Sequence, residues 1–270
     1  MSEQKNENMN VLESFSLKGK VALLTGGAGL YGRQIVAALA EAGAETYIAS
    51  RNLEALEKVA SEERARGYDV TALKLDLEDE KSIFNLRDGI MKRSGRIDVL
   101  INNAVTRSAM NGWDNPMEAF DRSLRVNASA LFVITRLFAD EMKKQKCGSI
   151  INIGSMMGMS GIEMANYDGT DMNPNPSPIY HYEKGGMINF TRWAASILGD
   201  YNVRVNCVSP GGYWISTHPA QFVKNYSART QLGRMANDTD LKGIIVFLAS
   251  DASAYLTGAN IPVDGGYTAK

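Results

Sequence analysis

The amino-acid sequence runs VALLTGGAGLYG from residue 21 to residue 32. Its first four residues form a continuous apolar run, which is typical of a parallel strand buried on both faces. The glycines Gly26, Gly29 and Gly32 follow directly, and residues 33–42 then have the pattern of a helix. A buried strand, a glycine-rich turn and a helix in immediate succession predict the first unit of an α/β fold.

The same alternation of strand and helix continues to the end of the chain. The predicted strands are 21–24, 46–50, 70–75, 99–102, 149–153, 203–208 and 260–263, and the predicted helices are 33–42, 53–66, 80–94, 116–144, 179–198 and 240–248. Such an alternation gives a doubly wound parallel sheet with helices on both faces. The predicted fold class is therefore α/β, a single-domain Rossmann fold over residues 15–270, preceded by a flexible polar tail over residues 1–14.

Composition and charge limit the possible partners. The chain has 270 residues, of which 44% are hydrophobic and 22% charged, with 29 basic and 30 acidic side chains and a net charge of -1. A balanced charge gives no field to attract nucleic acid or an anionic membrane. No stretch approaches the roughly 20 apolar residues of a membrane span. We therefore expect no nucleic-acid and no membrane partner.

Cysteine and histidine are too sparse for a metal site. Cys147 and Cys207 lie far apart in sequence, and the only histidines are His181 and His218. This set matches no zinc-ligand spacing, so we predict no metal and two reduced cysteines. Reduced cysteines and a polar N-terminus without an apolar signal segment favour the cytoplasm.

The glycine-rich turn has a chemical interpretation because of its position. Glycines between a first strand and a helix let the backbone approach a pyrophosphate, whose charge the helix N-terminus meets. The turn lacks the Gly-Lys-Ser/Thr ending of an ATP-type phosphate loop. It predicts a dinucleotide cofactor.

The end of the second predicted strand bears on which dinucleotide is bound. An enzyme for NAD(H) usually has an Asp or Glu there for the ribose 2′-hydroxyl, whereas this chain has Ser50 and Arg51. A guanidinium suits a 2′-phosphate. We therefore favour NADP(H), with NAD(H) as the alternative.

A tyrosine and a lysine stand four residues apart in the fifth predicted helix. Tyr180 and Lys184 therefore share one helix face, whereas Tyr182 points to roughly the opposite side. A nearby ammonium favours the phenolate form of tyrosine, which can exchange a proton with an alcohol. The pair is a candidate for acid/base catalysis.

Several motifs occur together in a fixed order. They are the turn 25–32, Asp76-Leu77, Asn102-Asn103-Ala104, Asn127, the run 151–155, Tyr180 with Lys184, Pro210-Gly211 and the run 263–266. With these motifs the chain resembles the classical short-chain dehydrogenase/reductase family from about Leu17 onward. It departs from the family pattern at Leu30, where the family usually has glycine, and at Val105, where a glycine usually completes Asn-Asn-Ala-Gly.

The resemblance implies roles for four residues. Tyr180 is the expected general acid/base, and Lys184 supports its phenolate and holds the nicotinamide ribose. Ser155 orients the substrate oxygen, and Asn127 holds a water that relays protons through Lys184. The cofactor contacts derived from the motifs and from the resemblance are Gly26, Gly29, Leu30, Tyr31, Gly32, Ser50, Arg51, Asp76, Leu77, Asn103, Ala104, Tyr180, Lys184, Pro210, Gly211, Ile215 and Thr217. The family also implies a homotetramer, with a homodimer as the alternative.

Two irregular segments, 156–178 and 209–233, are predicted to form lids beside the site. Tyr180 follows Ser155 by 25 positions, where the family commonly has about half that number. The first lid is rich in carboxylates and amides: Glu163, Asn166, Asp168, Asp171, Asn173 and Asn175. A polar wall suits a substrate with many hydroxyl groups.

The substrate hypotheses follow from this lid. Arg107 and His218 can supply positive contacts to an acidic substrate, Trp214 can stack on a sugar ring, and Tyr167 lies within the first lid. The leading hypothesis is an NADP(H)-dependent dehydrogenase/reductase for a secondary alcohol or ketone of a sugar, sugar acid or polyol. The alternatives are a 3-oxoacyl-thioester reductase and, in another class, a non-catalytic nucleotide-binding sensor.

Overall fold

The computed structural model describes residues 10–107, 112–173 and 177–269. Within them, seven parallel strands form one sheet in the order β3-β2-β1-β4-β5-β6-β7. The strands are β1 Val21–Thr25, β2 Glu45–Ser50, β3 Val70–Lys74, β4 Val99–Asn102, β5 Gly148–Ile153, β6 Val203–Pro210 and β7 Asn260–Val263. The helices are α1 Leu30–Glu41, α2 Leu53–Ala65, α3 Glu80–Ser94, α4 Met117–Leu124, α5 Ala130–Gln145, α6 Pro178–Leu198, α7 Ala220–Arg229 and α8 Lys242–Ala249. The predicted single Rossmann fold is confirmed.

The central strands are buried on both faces, which explains their continuous apolar runs. Leu24 of β1 lies beside Ile48 and packs into the core on one face of the sheet. Its neighbour Leu23 lies beside Leu100 of β4 and packs into the core on the other face. Because successive side chains of a strand point to opposite faces, a strand between two helix layers needs apolar residues at every position.

The strand order reverses between β1 and β4. The chain moves outward from β1 to β2 and β3, then returns across the sheet to β4 and continues to β7. In open α/β sheets a crevice forms at this point, outside the carboxyl ends of the strands. The fold therefore places the turn after β1 and the loop after β4 on either side of one crevice.

The predicted helix over 116–144 is wrong as a single helix. Five residues, Arg125–Ser129, form a π-helical turn between α4 and α5. The Asn127 side chain there accepts a hydrogen bond from Thr106 N and donates one to Thr106 O, both at 2.9 Å. The side chain thus fastens the turn to the loop after β4, and a π-turn at a functional position is a recurrent way to interrupt a helix.

Two further boundaries differ from the predictions. Helix α1 begins at Leu30 instead of residue 33, because Gly29 is its N-cap with extended backbone. The segment 209–233, expected to be irregular, contains helix α7. Phe222 and Tyr226 are one turn apart in α7 and both are buried, so this short amphipathic pattern was present in the sequence.

The predicted N-terminal tail lies mostly outside the described residues. Of residues 1–14, the structure describes those from Asn10 onward, and Glu13–Phe15 form a short 3-10 turn. The ring of Phe15 lies 6.0 Å from that of Phe247 in α8. Across the described ranges, no helix has the length and apolar character needed to cross a membrane.

Candidate active site

One cavity of about 950 Å³ opens where six of the strands end. Its lining includes residues from the turn after β1, the ends of β2, β5 and β6, and the loops after β3 and β4. All of the predicted catalytic and cofactor residues line it except Asn127 and Thr217. Its volume lies in the range of small-molecule and cofactor sites.

The glycine turn brings bare backbone to the floor of this cavity. Gly26 has φ +75°, a conformation that side chains disfavour. A Cβ on Gly32 would lie 2.3 Å from Gly26 O, so no other residue fits there without a shift of backbone. The start of α1 lies at the cavity, and the free amides of a helix N-terminus suit a pyrophosphate. Leu30, where the family usually has glycine, is half exposed at the cavity edge.

A polar network fastens this turn to the loop after β4. Asn103 donates from Nδ2 to Thr25 O and Gly26 O, each at 3.0 Å. The Oγ1 of Thr25 accepts from the backbone amides of Asn103 and Ala104, also at 3.0 Å. These bonds hold the two sides of the crevice together, a preorganised arrangement for a cofactor.

Arg51 lies at the end of the cavity formed by β2 and β3. Its guanidinium is 58% exposed and lies 3.7 Å from the carboxylate of Glu78, which also lines the cavity and pairs with Arg122 at 3.2 Å. The sequence prediction missed Glu78, although it follows the Asp76-Leu77 motif directly. An exposed pair of this length contributes little energy, so Arg51 is available to an anion.

The tyrosine-lysine pair lies at the opposite end. Pro178 is the first residue of α6, and Tyr180 stands in the first turn with Lys184 one turn later. The Nζ of Lys184 lies 5.6 Å from the centre of the Tyr180 ring and donates to Ile153 O at 2.6 Å. Lys184 is 5% exposed, so its charge is held at one point beside the phenol ring.

Ser155 joins this pair from the loop after β5. It is buried, lines the cavity together with Tyr180, and its Oγ accepts a hydrogen bond from Met157 N at 3.1 Å. The serine hydroxyl hydrogen is therefore not used in that bond and can be donated to another oxygen.

Asn127 lies behind the pair and does not line the cavity. Its Nδ2 contacts three oxygens: Thr106 O at 2.9 Å, Ser123 Oγ at 3.2 Å and Glu183 Oε2 at 2.8 Å. Burial raises the pKa of Glu183, while hydrogen bonds from Ser123 and Asn127 and the charge of Lys184 act in the opposite direction. Sequence reasoning missed Glu183, because a glutamate within a helix is usually a solvated surface residue.

The turn after β1 is also tied to the end of β6. The hydroxyl of Tyr31 donates to Gly211 O at 2.7 Å, and its ring meets the ring of Tyr213 edge-on at 5.3 Å. Burial strongly raises the pKa of Tyr31, so this phenol is a neutral hydrogen-bond donor. The bond sets the distance between the cavity floor and the Pro210-Gly211 segment.

The predicted polar wall of the substrate end is wrong. Met156, Phe222, Tyr226 and Met235 all line the cavity and belong to one buried apolar cluster. Tyr226 also donates to Met156 Sδ at 3.2 Å and accepts from Gly212 N at 2.5 Å. The wall beside Ser155 and Tyr180 is therefore methionine and aromatic carbon.

The polar residues of the first lid instead hold it to the rest of the protein. Glu163 pairs with Arg229 of α7 at 2.9 Å, and buried Asn166 donates to the hydroxyl of Tyr267 at 2.7 Å. Asn225 of α7 donates to Asp168 O at 2.9 Å. Asn175 and the rest of 174–176 lie outside the described residues. The composition of the lid predicted a polar pocket, because composition does not show whether a polar side chain faces the cavity or bonds to another part of the protein.

The predicted substrate residues separate into two groups. Arg107 and His218 line the cavity, and the guanidinium of Arg107 lies 5.8 Å from the centre of the Tyr180 ring. Desolvation lowers the pKa of His218, which disfavours the charged form of its imidazole, and the positive contact from it stays a prediction. Trp214 is exposed and Tyr167 packs on Phe222 at 5.6 Å; neither of them lines the described cavity.

Thr217, expected beside the nicotinamide, is exposed and absent from the described lining, although His218 directly after it lines the cavity. Ile215 and Tyr213, from the same segment, do line the cavity. Over the part of the chain that the structure describes, no group of three or more His, Cys, Asp or Glu side chains is placed to hold a metal ion.

A parallel sheet with a glycine turn at its point of reversal, and a tyrosine-lysine pair at the same crevice, defines a Rossmann-fold oxidoreductase. The comparisons with known proteins make this class specific. A family model described as enoyl-(acyl carrier protein) reductase matches residues 29–268. A crystal structure of a short-chain type dehydrogenase/reductase from Mycobacterium marinum superposes with a TM-score of 0.85 at 31% identity, covering 97% of this chain and 100% of that one.

Two curated relatives are also similar over nearly their whole length. Cyclopentanol dehydrogenase of Comamonas sp. is 33% identical over 93% of this chain and 97% of its own. The NADP-dependent mannitol dehydrogenase of Hypocrea jecorina is 33% identical over 96% of each. The chain belongs to the classical short-chain dehydrogenase/reductase family. It is an NAD(P)-dependent enzyme acting on CH-OH donors, which replaces the alternative of a non-catalytic sensor.

Proposed function

We propose that this enzyme interconverts a secondary alcohol and a ketone of a sugar, sugar acid or polyol, with NADP(H) preferred. The observation that carries the proposal is Arg107, a cation lying 5.8 Å from the centre of the Tyr180 ring inside the cavity. A guanidinium so close to the reacting group favours substrates with a carboxylate a few bonds from the alcohol. Within this class a sugar acid is the first candidate.

The catalytic roles follow from the positions of three side chains. The bound nicotinamide supplies or accepts the hydride. Tyr180 exchanges the proton with the substrate oxygen, and the fixed charge of Lys184 favours its phenolate form. Ser155 donates its free hydroxyl hydrogen to the same substrate oxygen. Asn127, held by Thr106, is a positioning residue that keeps the π-turn against the loop after β4.

The cofactor preference rests on Arg51 and Ser50. Both line the end of the cavity, and among the described residues the acid paired with the exposed side chain of Arg51 is Glu78, at 3.7 Å. A 2′-phosphate offers a stronger, shorter contact than a carboxylate at 3.7 Å. The mannitol dehydrogenase relative uses NADP according to its name, which supports the same preference.

The test is a kinetic panel of aldonates, neutral polyols, cyclic alcohols and hydroxyacyl thioesters with NADP⁺ and NAD⁺. The Arg107→Gln variant is expected to raise the KM for an aldonate about 10- to 100-fold, because a charged hydrogen bond is lost. Its KM for a neutral polyol should not change. Equal effects on both substrates, or aldonates and polyols that are not turned over, would overturn the proposal.

A second candidate is an alicyclic secondary alcohol. The wall of Met156, Phe222 and Met235 supports it, since methionine and aromatic carbon bind an apolar ring without unpaired polar groups. A relative is named for activity on cyclopentanol. The same wall suits the acyl chain of a 3-oxoacyl thioester, the other enzymatic alternative. Preferred turnover of cyclopentanol or of a hydroxyacyl thioester in the panel would select one of these.

We further propose that the enzyme is a homotetramer or a homodimer. Phe132 of α5 and Trp193 and Ile197 of α6 are large apolar side chains that this single chain leaves exposed. A surface of this kind marks a protein interface. Light scattering of the purified protein should give a mass of two or four chains. A Trp193→Glu variant should shift that mass downward, and a wild-type monomer would contradict the assembly.

The proposed compartment is the cytoplasm, and the small polar substrate is the only proposed partner besides other copies of the chain. Cys147 and Cys207 are free thiols, which suits a reducing environment. Fractionation of the cells that express the protein tests this directly.

A further inference from the structure

A buried carboxylate lies behind the catalytic pair and has no place in the mechanism described above. Glu183 is 6% exposed, on the face of α6 that meets α4 and the π-turn. Its Oε2 accepts from Asn127 Nδ2 at 2.8 Å. Its Oε1 is buried and has no hydrogen-bond partner in the described part of the chain. Carboxylates are rarely buried without a paired cation, so this one needs an explanation.

Among the residues that the structure describes, one charged group acts on Glu183. Ser123 from α4 and Asn127 from the π-turn contact it, and both are uncharged. Lys184, next to it on α6, is the charged group acting on it, yet the Lys184 ammonium bonds to Ile153 O and makes no ion pair with it. Desolvation raises the pKa of Glu183. Its charge therefore changes closer to neutral pH than that of a surface glutamate.

The position of Glu183 on the helix connects it with the reaction. It stands three residues after Tyr180 and directly before Lys184, so all three side chains lie within one turn of α6. Side chains three or four residues apart on a helix are neighbours, so a charge on Glu183 acts on the Tyr180 phenol and on the Lys184 ammonium. Among the described residues, the charges that act on the phenol include those of Lys184 and Arg107, which lie 5.6 Å and 5.8 Å from the centre of its ring, together with the charge of Glu183.

We propose that Glu183 is a positioning and charge-tuning residue for Tyr180: its carboxylate offsets part of the Lys184 charge, and its protonated form does not. The ionised carboxylate opposes the phenolate form of Tyr180, which the Lys184 charge favours. Glu183 thereby influences the pH at which the rate of alcohol oxidation reaches half of its maximum. A test of this inference by enzyme kinetics rests on the proposed function, whereas a test by spectroscopy of Tyr180 does not.

The kinetic test is the pH profile of kcat for alcohol oxidation in wild type and in Glu183→Gln. Glutamine keeps the shape and an acceptor for Asn127 Nδ2 but cannot carry charge. The midpoint of the acid limb should move downward by about half a pH unit or more, because the opposing charge is gone. The KM should stay within about twofold. Glu141→Gln, another buried glutamate whose partners are Arg87 and Lys144, is the matched control and should not move the midpoint.

The substrate-independent test is a carbon-13 titration of protein labelled at tyrosine Cζ, with the Tyr180 signal assigned by Tyr180→Phe. The Tyr180 midpoint should fall in Glu183→Gln and remain near the wild-type value in Glu183→Asp, which keeps the charge. Circular dichroism verifies that each variant is folded. Identical midpoints in wild type and Glu183→Gln overturn the inference, even if no substrate in the panel is turned over. A shifted midpoint supports it whether or not the sugar-acid proposal survives.

Discussion

The two ends of the cavity are built from different kinds of structure. The end near β1 and β2 consists of strand ends, a glycine turn and backbone amides, fastened by Asn103 and Thr25. The end near Tyr180 consists of side chains from a short 3-10 turn, Met156–Gly158, and from α7. The first end depends on backbone geometry and the second on packing between distant segments.

This difference explains which end the sequence could describe. Backbone geometry can be recognised in the local sequence, because a glycine is required wherever a Cβ would collide with the chain. Packing between distant segments cannot be recognised in this way, since the polar side chains of a lid can face either the cavity or the rest of the protein. Substitutions at the first end should therefore act on cofactor and stability, and substitutions at the second on substrate.

The largest effect is expected at the end of the cavity near Tyr180. Tyr180→Phe should lower kcat by about 10²- to 10⁴-fold, because the proton has no donor or acceptor. Cofactor binding, followed by NADPH fluorescence, should be nearly unchanged. Tyr182→Phe is the matched control: Tyr182 is exposed and packs on Phe120 at 6.0 Å, so its activity should equal wild type. Similar losses in the two variants would remove Tyr180 from the reaction.

Gly32→Ala tests the backbone end. Its Cβ would lie 2.3 Å from Gly26 O, and the strain should lower the free energy of unfolding by about 1–3 kcal/mol. Gly29→Ala is the comparison, because its Cβ would meet Gly26 O at an ordinary 3.5 Å and its stability should stay at the wild-type value. Urea denaturation measures both. An unchanged unfolding free energy for Gly32→Ala would mean that the turn is not tightly packed.

Arg51→Ala tests cofactor selection at the same end. The kcat/KM with NADP⁺ should fall about 10- to 100-fold, since a charged contact to phosphate is lost, while that with NAD⁺ should hold. Arg122→Ala removes a cation that shares the Glu78 carboxylate but does not line the described cavity. It should leave both cofactors unaffected. A parallel decrease for both cofactors in Arg51→Ala would exclude recognition of the 2′-phosphate.

The smallest effect is expected from His218 at the side-chain end. Desolvation lowers the pKa of His218 below 6.5 in the folded protein. As the pH falls, the imidazole is therefore protonated in the unfolded chain before it is protonated in the folded protein. The protein therefore has its full stability above pH 6.5, where His218 is neutral in both states. It loses stability as the pH falls from there through the pKa that His218 has in the folded protein. Melting temperatures at about pH 5.5 and about pH 7.5 should differ more in wild type than in His218→Gln. The opposite order would mean that the imidazole is charged in the folded state.

Local spacing carried most of what the sequence could predict. The Tyr180 and Lys184 pair follows from the helix period, and the sheet follows from apolar runs. The break at Asn127 could not be foreseen, because its cause is Thr106, 21 residues earlier in another loop. The burial of Glu183 could not be predicted for the same reason. Its neighbours Asn127 and Ser123 come close to it only because α4 packs on α6.

The π-turn Arg125–Ser129 also limits how the length of this chain can change. A π-turn accommodates one residue more than a regular helix over the same rise. Deleting a residue there would restore regular helical geometry, so that α4 and α5 would join as one straight helix. Asn127 would then lose the position from which its side chain bonds to the backbone of Thr106. A relative with one residue fewer at this point would therefore have to hold the loop after β4 by other contacts.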